Sequence, residues 1–103
     1  MTPDEFRRLA LALPQAVEGA HMGHPDFRLG GKVFASLGYP DERWAMVKLK
    51  SEQQEILMSS EPGTFVPAKG AWGRRGSTLV LLEALDPSLA ADAIRMAAEG
   101  LAT

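Results

Sequence analysis

The segment Gly70-Ala71-Trp72-Gly73-Arg74-Arg75-Gly76 sets a flat indole beside two guanidinium groups, between glycines spaced three apart. Arginine offers fixed charge and a fork of donors for phosphate, and an indole offers a face on which a base can stack. The glycines would let backbone approach a ligand closely. A purely structural alternative has Trp72 plugging a sheet edge, the arginines facing solvent and the glycines meeting turn geometry. The segment is no phosphate cradle of the Walker kind, since it lacks that spacing and the Gly-Lys-Ser/Thr ending. Lys32, Lys48 and Lys50 are the other cations of interest. If Lys32 and Lys48 project together, they form a cationic patch with Arg28 on a sheet face shared with Phe34, Trp44 and Met46. The alternative there is an apolar layer with lysine stems along its edge.

A second group, Glu18, His21, His24 and Asp26, contains donors for a metal or a histidine–aspartate base. Metal ligation needs three or four lone pairs converging at about 2 Å. The spacing here matches neither a zincin helix nor a standard zinc motif, and Pro25 interrupts it. Solvated or locally hydrogen-bonded side chains are the expectation. No convincing nucleophile accompanies the histidines, and Ser36, Ser59, Ser60 and Ser77 lack a nucleophile-elbow context. The chain has no cysteine, which excludes thiolate catalysis, thiolate metal sites and a disulfide scaffold. No catalytic residue, metal site or cofactor is assigned, and no enzymatic activity is inferred.

The elements that must position these residues are organised around Gly31–Leu49. Two alternating runs, Lys32–Leu37 and Trp44–Leu49, flank the polar connection Gly38–Arg43. Alternation of period two marks strands with one face on a core. It sends Val33, Ala35 and Leu37 one way and Lys32, Phe34 and Ser36 the other. Ahead of this hairpin, Thr2, Pro3 and Glu5 open a helix with a capping box. Phe6, Leu9, Ala10 and Leu13 form its apolar stripe, and Pro14 ends it. Residues 15–25 are expected to be irregular or partly extended, with a short strand at 27–29 turned back by Gly30-Gly31. After the hairpin, Ser51 caps a helix over about 52–59 anchored by Ile56 and Leu57, and Glu61-Pro62-Gly63 stops it. Residues 64–77 read as a loop, and Thr78–Leu82 as a strand apolar on both faces, hence central. Asp86-Pro87 opens a last helix with Leu89, Ala93, Met96 and Ala97 inward.

At 103 residues and 46% hydrophobic, the chain suits one domain, 1–103, with one modest core. The order of elements predicts an α+β fold in two layers, a mainly antiparallel sheet packed against helices. No apolar run reaches the roughly 18–20 residues of a membrane span, and the first residues lack a signal-peptide core, so a cytoplasmic protein is expected. The net charge of −2 gives no global signal for nucleic acid. Its distribution does: residues 28–75 hold eight basic against five acidic side chains, while both flanks are acidic.

Joined together, these pieces resemble the bacterial YjbR/MmcQ-like family of small proteins, over almost the whole length. The resemblance is carried by Leu13-Pro14, Pro25-Asp26-Phe27-Arg28, Gly31-Lys32-Val33-Phe34-Ala35, Val47-Lys48-Leu49, Phe65-Val66-Pro67, and Trp72-Gly73 leading into Thr78-Leu79-Val80. It implies a compact α+β fold and a DNA-binding role, with Lys32, Lys48, Trp72, Arg74 and Arg75 in its most characteristic segments; with Lys50, which follows the second organising strand, these are the expected nucleic-acid-contacting residues. The residues Gly73–Ser77, between Trp72 and the following strand, depart from the family pattern. The alternative is an adaptor for a protein or small ligand, using the Trp72 loop and the sheet face. A monomer is expected, with no membrane association.

Overall fold

The computed structural model describes residues 1–101. Helix α1 spans Pro3–Leu11 and starts as its capping box dictates: Glu5 N–H donates to Thr2 Oγ1 at 3.1 Å, and Thr2 N–H donates to Glu5 Oε1 at 2.8 Å. Six strands follow, β1 Val17–His21, β2 His24–Leu29, β3 Lys32–Leu37, β4 Trp44–Lys48, β5 Phe65–Pro67 and β6 Ser77–Leu81. They form one sheet in the order β1-β2-β3-β4-β6-β5, with every neighbouring pair antiparallel. Helices α2 Ser51–Ser60, α3 Gly70–Arg74 and α4 Pro87–Gly100 complete the chain. The architecture is the expected two-layer α+β fold.

Registered residues share a face, so the core can be read across the sheet. Phe27, Ala35, Val47 and Thr78 form one buried row, and Leu37, Ala45, Val80 and Phe65 another. Against these rows sit Phe6 of α1, its ring 6.3 Å from that of Phe27, Leu57 of α2, and the stripe Ala90, Ala93, Ile94 and Ala97 of α4. The small alanines let α4 approach the sheet closely. Each fully buried phenylalanine contributes on the order of 2–3 kcal/mol of hydrophobic stabilisation. Among the described residues no helix covers the opposite sheet face, which carries half-buried Trp44, Met46, Val66, Leu79 and Leu81.

Several local expectations are corrected. Residues 17–21 form an edge strand, because the β2 backbone supplies partners that their own weak alternation does not announce. In β3, Phe27 pairs with Ala35 but Arg28 pairs with Val33, leaving Phe34 as an extra residue. This bulge breaks the alternation, and Phe34 joins Ala35 in the core, fully buried, instead of sharing a face with Trp44 and Met46. In α2, Leu57 is buried but Ile56 is 59% exposed, so one of the two expected anchors faces water. The cap of α2 is Lys50 rather than Ser51, its N–H bonded to the Gln53 side chain at 3.1 Å. In α4, Ala90 and Ile94 join Ala93 and Ala97 inside, with Leu89 and Met96 at the margin. Among the described residues, no helix is long and apolar enough to cross a membrane.

Candidate nucleic-acid interface

Residues 64–77 are not a loop: they form strand β5, the short helix α3 and the start of β6. α3 closes the end of the β5–β6 hairpin, where Ala68 N–H donates to the Ser77 carbonyl at 3.0 Å. Its glycines serve the chain's own packing. A Cβ on Gly76 would stand 1.7 Å from the Leu49 carbonyl oxygen, at a φ of +104°, and one on Gly73 would stand 2.0 Å from the Ala68 oxygen. Leu49 N–H donates to the Gly76 carbonyl at 2.9 Å, which ties the end of β4 to the start of β6. The buried Gln54 of α2 pins the arrangement from behind. Its amide donates to the Gly73 carbonyl at 3.1 Å and to Thr78 Oγ1 at 3.0 Å.

With its backbone so held, α3 turns its side chains outward. Trp72 is 70% exposed, and Arg74, Arg75 and Lys69 are exposed around it. Trp72 and Arg75 lie one turn apart, on the same side of the helix. The antiparallel register brings the remaining candidates to this end of the sheet: Ala35 pairs with Val47 and Val47 with Thr78, so β3 begins, β4 ends and β6 begins here. Lys48 pairs with Ser77 and shares the open face with Trp44 and Met46. Lys50 stands two residues on, capping α2, with its stem close to Gly100 at the C-terminus of α4. That helix end favours a cation.

Lys32 and Lys48 do not project together. Lys32 pairs with Leu29, which leans on the core, so the bulge at Phe34 has turned Lys32 toward the helix side. It is also separated from β6 by β4, about 10 Å of sheet. Arg28 leaves the cationic patch for a different reason. Its Nε and one terminal nitrogen donate to Asp26 at 2.7 and 2.9 Å.

Asp26 is the centre of a second polar group, at the middle of the open face near β1. Its side chain is 0% exposed, and besides Arg28 it meets His21 Nδ1 at 2.7 Å. The Arg28 hydrogen bonds, followed by that of His21, overcome burial and hold its carboxyl down at about 2. Gly19 makes room for them, since a Cβ there would stand 3.0 Å from Asp26 Oδ1 and 3.1 Å from Arg28 Nε. Sequence proximity suggested this cluster, but only the β1–β2 pairing brings His21 to Asp26. Glu18 turns away, to Arg7 at 3.0 Å.

The ion pairs divide the cations of the molecule. Arg7, Arg28, Arg43 and Arg95 each hold a carboxylate. Among the described residues, Lys32, Lys48, Lys50, Lys69, Arg74 and Arg75 have none: Lys69, Arg74 and Arg75 flank Trp72, Lys48 lies on the open face beside β6, and Lys32 and Lys50 lie at the same end of the sheet on its helix side; Arg8, on α1, is the other basic side chain without one. Lys69 belongs with the candidates although sequence reasoning did not single it out; its place immediately before the Gly70–Gly76 segment was the available signal. Shallow hollows on the surface include one lined by Glu52, Glu55, Ile56, Ser59 and Ser60 and another formed by residues around His24 and Arg43. Trp72 lines neither.

The family model described as YjbR matches residues 11–97. No curated protein matches the chain. Among solved structures, the fold is similar to the crystal structure of Deinococcus radiodurans protein DR2400, described by the family-model domain DUF419. The TM-score is 0.82 at 17% identity, over 99% of this chain and 79% of that one. At such identity the likeness concerns the fold.

Proposed function

The chain belongs to the YjbR/MmcQ family, and from that premise we propose that it is a weak nucleic-acid-binding protein whose interface is the α3 end of the sheet. The observation that carries this is the gathering of unpaired cations around an exposed indole. Lys48, Lys69, Arg74 and Arg75 contact phosphates, Lys32 and Lys50 flank them from the helix side, and Trp72 stacks on a base. A stacking contact of this kind supplies about 1–3 kcal/mol and tolerates any base. It needs an unstacked base, so single strands are preferred over duplex.

Affinity is modest because the chain is acidic overall and because exposed Glu52 and Glu99 lie in segments that reach the same end. The last helix is not a major-groove reader: the sole cation of α4, Arg95, is held by Asp92 at 2.7 Å.

The test is anisotropy of fluorescent single- and double-stranded oligonucleotides over a range of salt. Single strands should bind more tightly, with affinity falling steeply as salt rises. Neutralising Lys48, Arg74 and Arg75 together to Gln should flatten the log–log slope for single strands by about 2, at roughly 0.7 for each phosphate no longer neutralised. Trp72→Ala should weaken binding and leave the slope unchanged. Absence of binding at about 50 mM salt, or a triple variant that binds like the wild type, would overturn the assignment.

A further inference from the structure

The β1–β2 hairpin turns at the other end of the sheet through Met22 and Gly23, with φ of 50° and 81°. Positive φ at both central residues defines the mirror-image turn that suits strand twist, and it favours asparagine or glycine at the first position. Methionine stands there instead, with its side chain 93% exposed. Neither the backbone conformation nor the exposed thioether serves the core.

The residues flanking this turn are both histidines. His21 and His24 are register partners, so their rings leave the same face of the hairpin. Each has its Nδ1 edge against the protein. His21 Nδ1 meets Asp26 Oδ2 at 2.7 Å; both Asp26 oxygens also accept from Arg28, so Nδ1 is the donor in that contact and Nε2 is the ring nitrogen left for a ligand. The Nδ1 edge of His24 faces Gly38, where a Cβ would approach it to 3.1 Å, and its ring meets Tyr39 edge-on at 6.4 Å. Two Nε2 atoms and one thioether sulfur are thus offered from four consecutive residues. Asp26 orients the first imidazole as the outer carboxylate of a metal-bound histidine does.

The donor set selects the ion. Asp26 is committed to Arg28 and His21, and Asp41 to Arg43, so neither carboxylate is available to a hard dication. Among the described residues no three His, Cys, Asp or Glu side chains are grouped to hold a metal. The remaining third donor is the soft sulfur of Met22, which prefers a soft monovalent ion. We propose that His21, Met22 and His24 form a binding site for Cu(I) or Ag(I) at the tip of the β1–β2 hairpin, separate from the α3 end. With no cysteine in the chain, no thiolate competes for such an ion.

The test is titration of the full chain with silver nitrate in chloride-free buffer, followed by NMR of the methionine methyl groups and the histidine ring nitrogens. Saturation at one equivalent is expected, shifting the Met22 methyl and both rings. Met1, Met46, Met58 and Met96 serve as internal controls and should not move. Met22→Leu should weaken Ag(I) binding by about tenfold or more, and His21→Gln with His24→Gln should abolish it. The proposal is overturned if the Met22 methyl stays put, if Met22→Leu binds as the wild type does, or if zinc competes on equal terms with silver.

Discussion

The two ends of the sheet treat charge in opposite ways. Toward the β1–β2 hairpin and the β3–β4 connection, the arginines are paired within the molecule: Arg28 on Asp26 at 2.7 Å, Arg43 on Asp41 at 3.0 Å. At the α3 end the cations have no carboxylate partner, and the structure is held instead by backbone and amide contacts, Leu49 to Gly76 and Gln54 to Gly73. A charge that is paired and buried belongs to the stability of the fold. A charge left unpaired on a well-anchored helix is free for a ligand, and removing it should leave the fold unchanged.

This contrast can be broken by mutation, and the largest effect is expected at Asp26. Asp26→Ala leaves Arg28 without its partner and opens a buried site, and it should cost about 3 kcal/mol. That corresponds to a fall in Tm of more than about 10 °C for a domain of this size, measured by thermal unfolding. At the opposite end the sensitive atoms are backbone. Gly76→Ala pushes a Cβ onto the Leu49 carbonyl at a φ of +104° and should cost about 2 kcal/mol or more, measured by urea unfolding.

Acid sharpens the same comparison without a mutation. The folded-state pKa of Asp26 lies at about 2, below its ordinary value of 3.8, because of Arg28 and His21. A depressed carboxylate contributes stability in full above its unfolded value and loses it as pH falls through the folded one. Stability should therefore decline by on the order of 2 kcal/mol between about pH 4 and pH 2, followed by urea midpoints across that range. Asp26→Asn should flatten this decline. Smallest of all is the effect of neutralising Lys48, Arg74 and Arg75 to Gln, which should change stability by no more than about 0.5 kcal/mol.

The local rules of the chain were legible where a signal is short-range. Thr2 and Glu5 cap α1, Asp86 caps α4 with its Oδ1 2.9 Å from Leu89 N, and Gly30-Gly31 turns β2 into β3. Strand β6 lies inside the sheet, as its two apolar faces implied. What escaped was set by partners distant in sequence. Residues 17–21 are a strand because β2 pairs with them, and Phe34 is core because β3 carries one residue more than β2 opposite it. The same bulge separates Lys32 from Lys48, which could share a face only if β3 alternated strictly. α3 was hidden because Gly70, Gly73 and Gly76 lie in and beside it, poor helix formers held here by Gln54, a residue 19 positions away from Gly73. The candidate residues themselves were legible by type; their separation from every carboxylate partner became visible only once the ion pairs elsewhere were in place.

The most direct test joins the two halves of the comparison in one experiment: urea unfolding of the wild type and of the Lys48, Arg74 and Arg75 to Gln variant at low salt, with and without a single-stranded oligonucleotide. A ligand that binds only the folded state raises stability by RT ln(1 + [L]/Kd), about 2.7 kcal/mol at a hundredfold excess over Kd. The wild type should gain stability from the oligonucleotide, and the variant, equally stable alone, should gain far less. A variant already destabilised without oligonucleotide, or a wild type indifferent to it, would contradict the assignment of the unpaired cations to a nucleic-acid ligand.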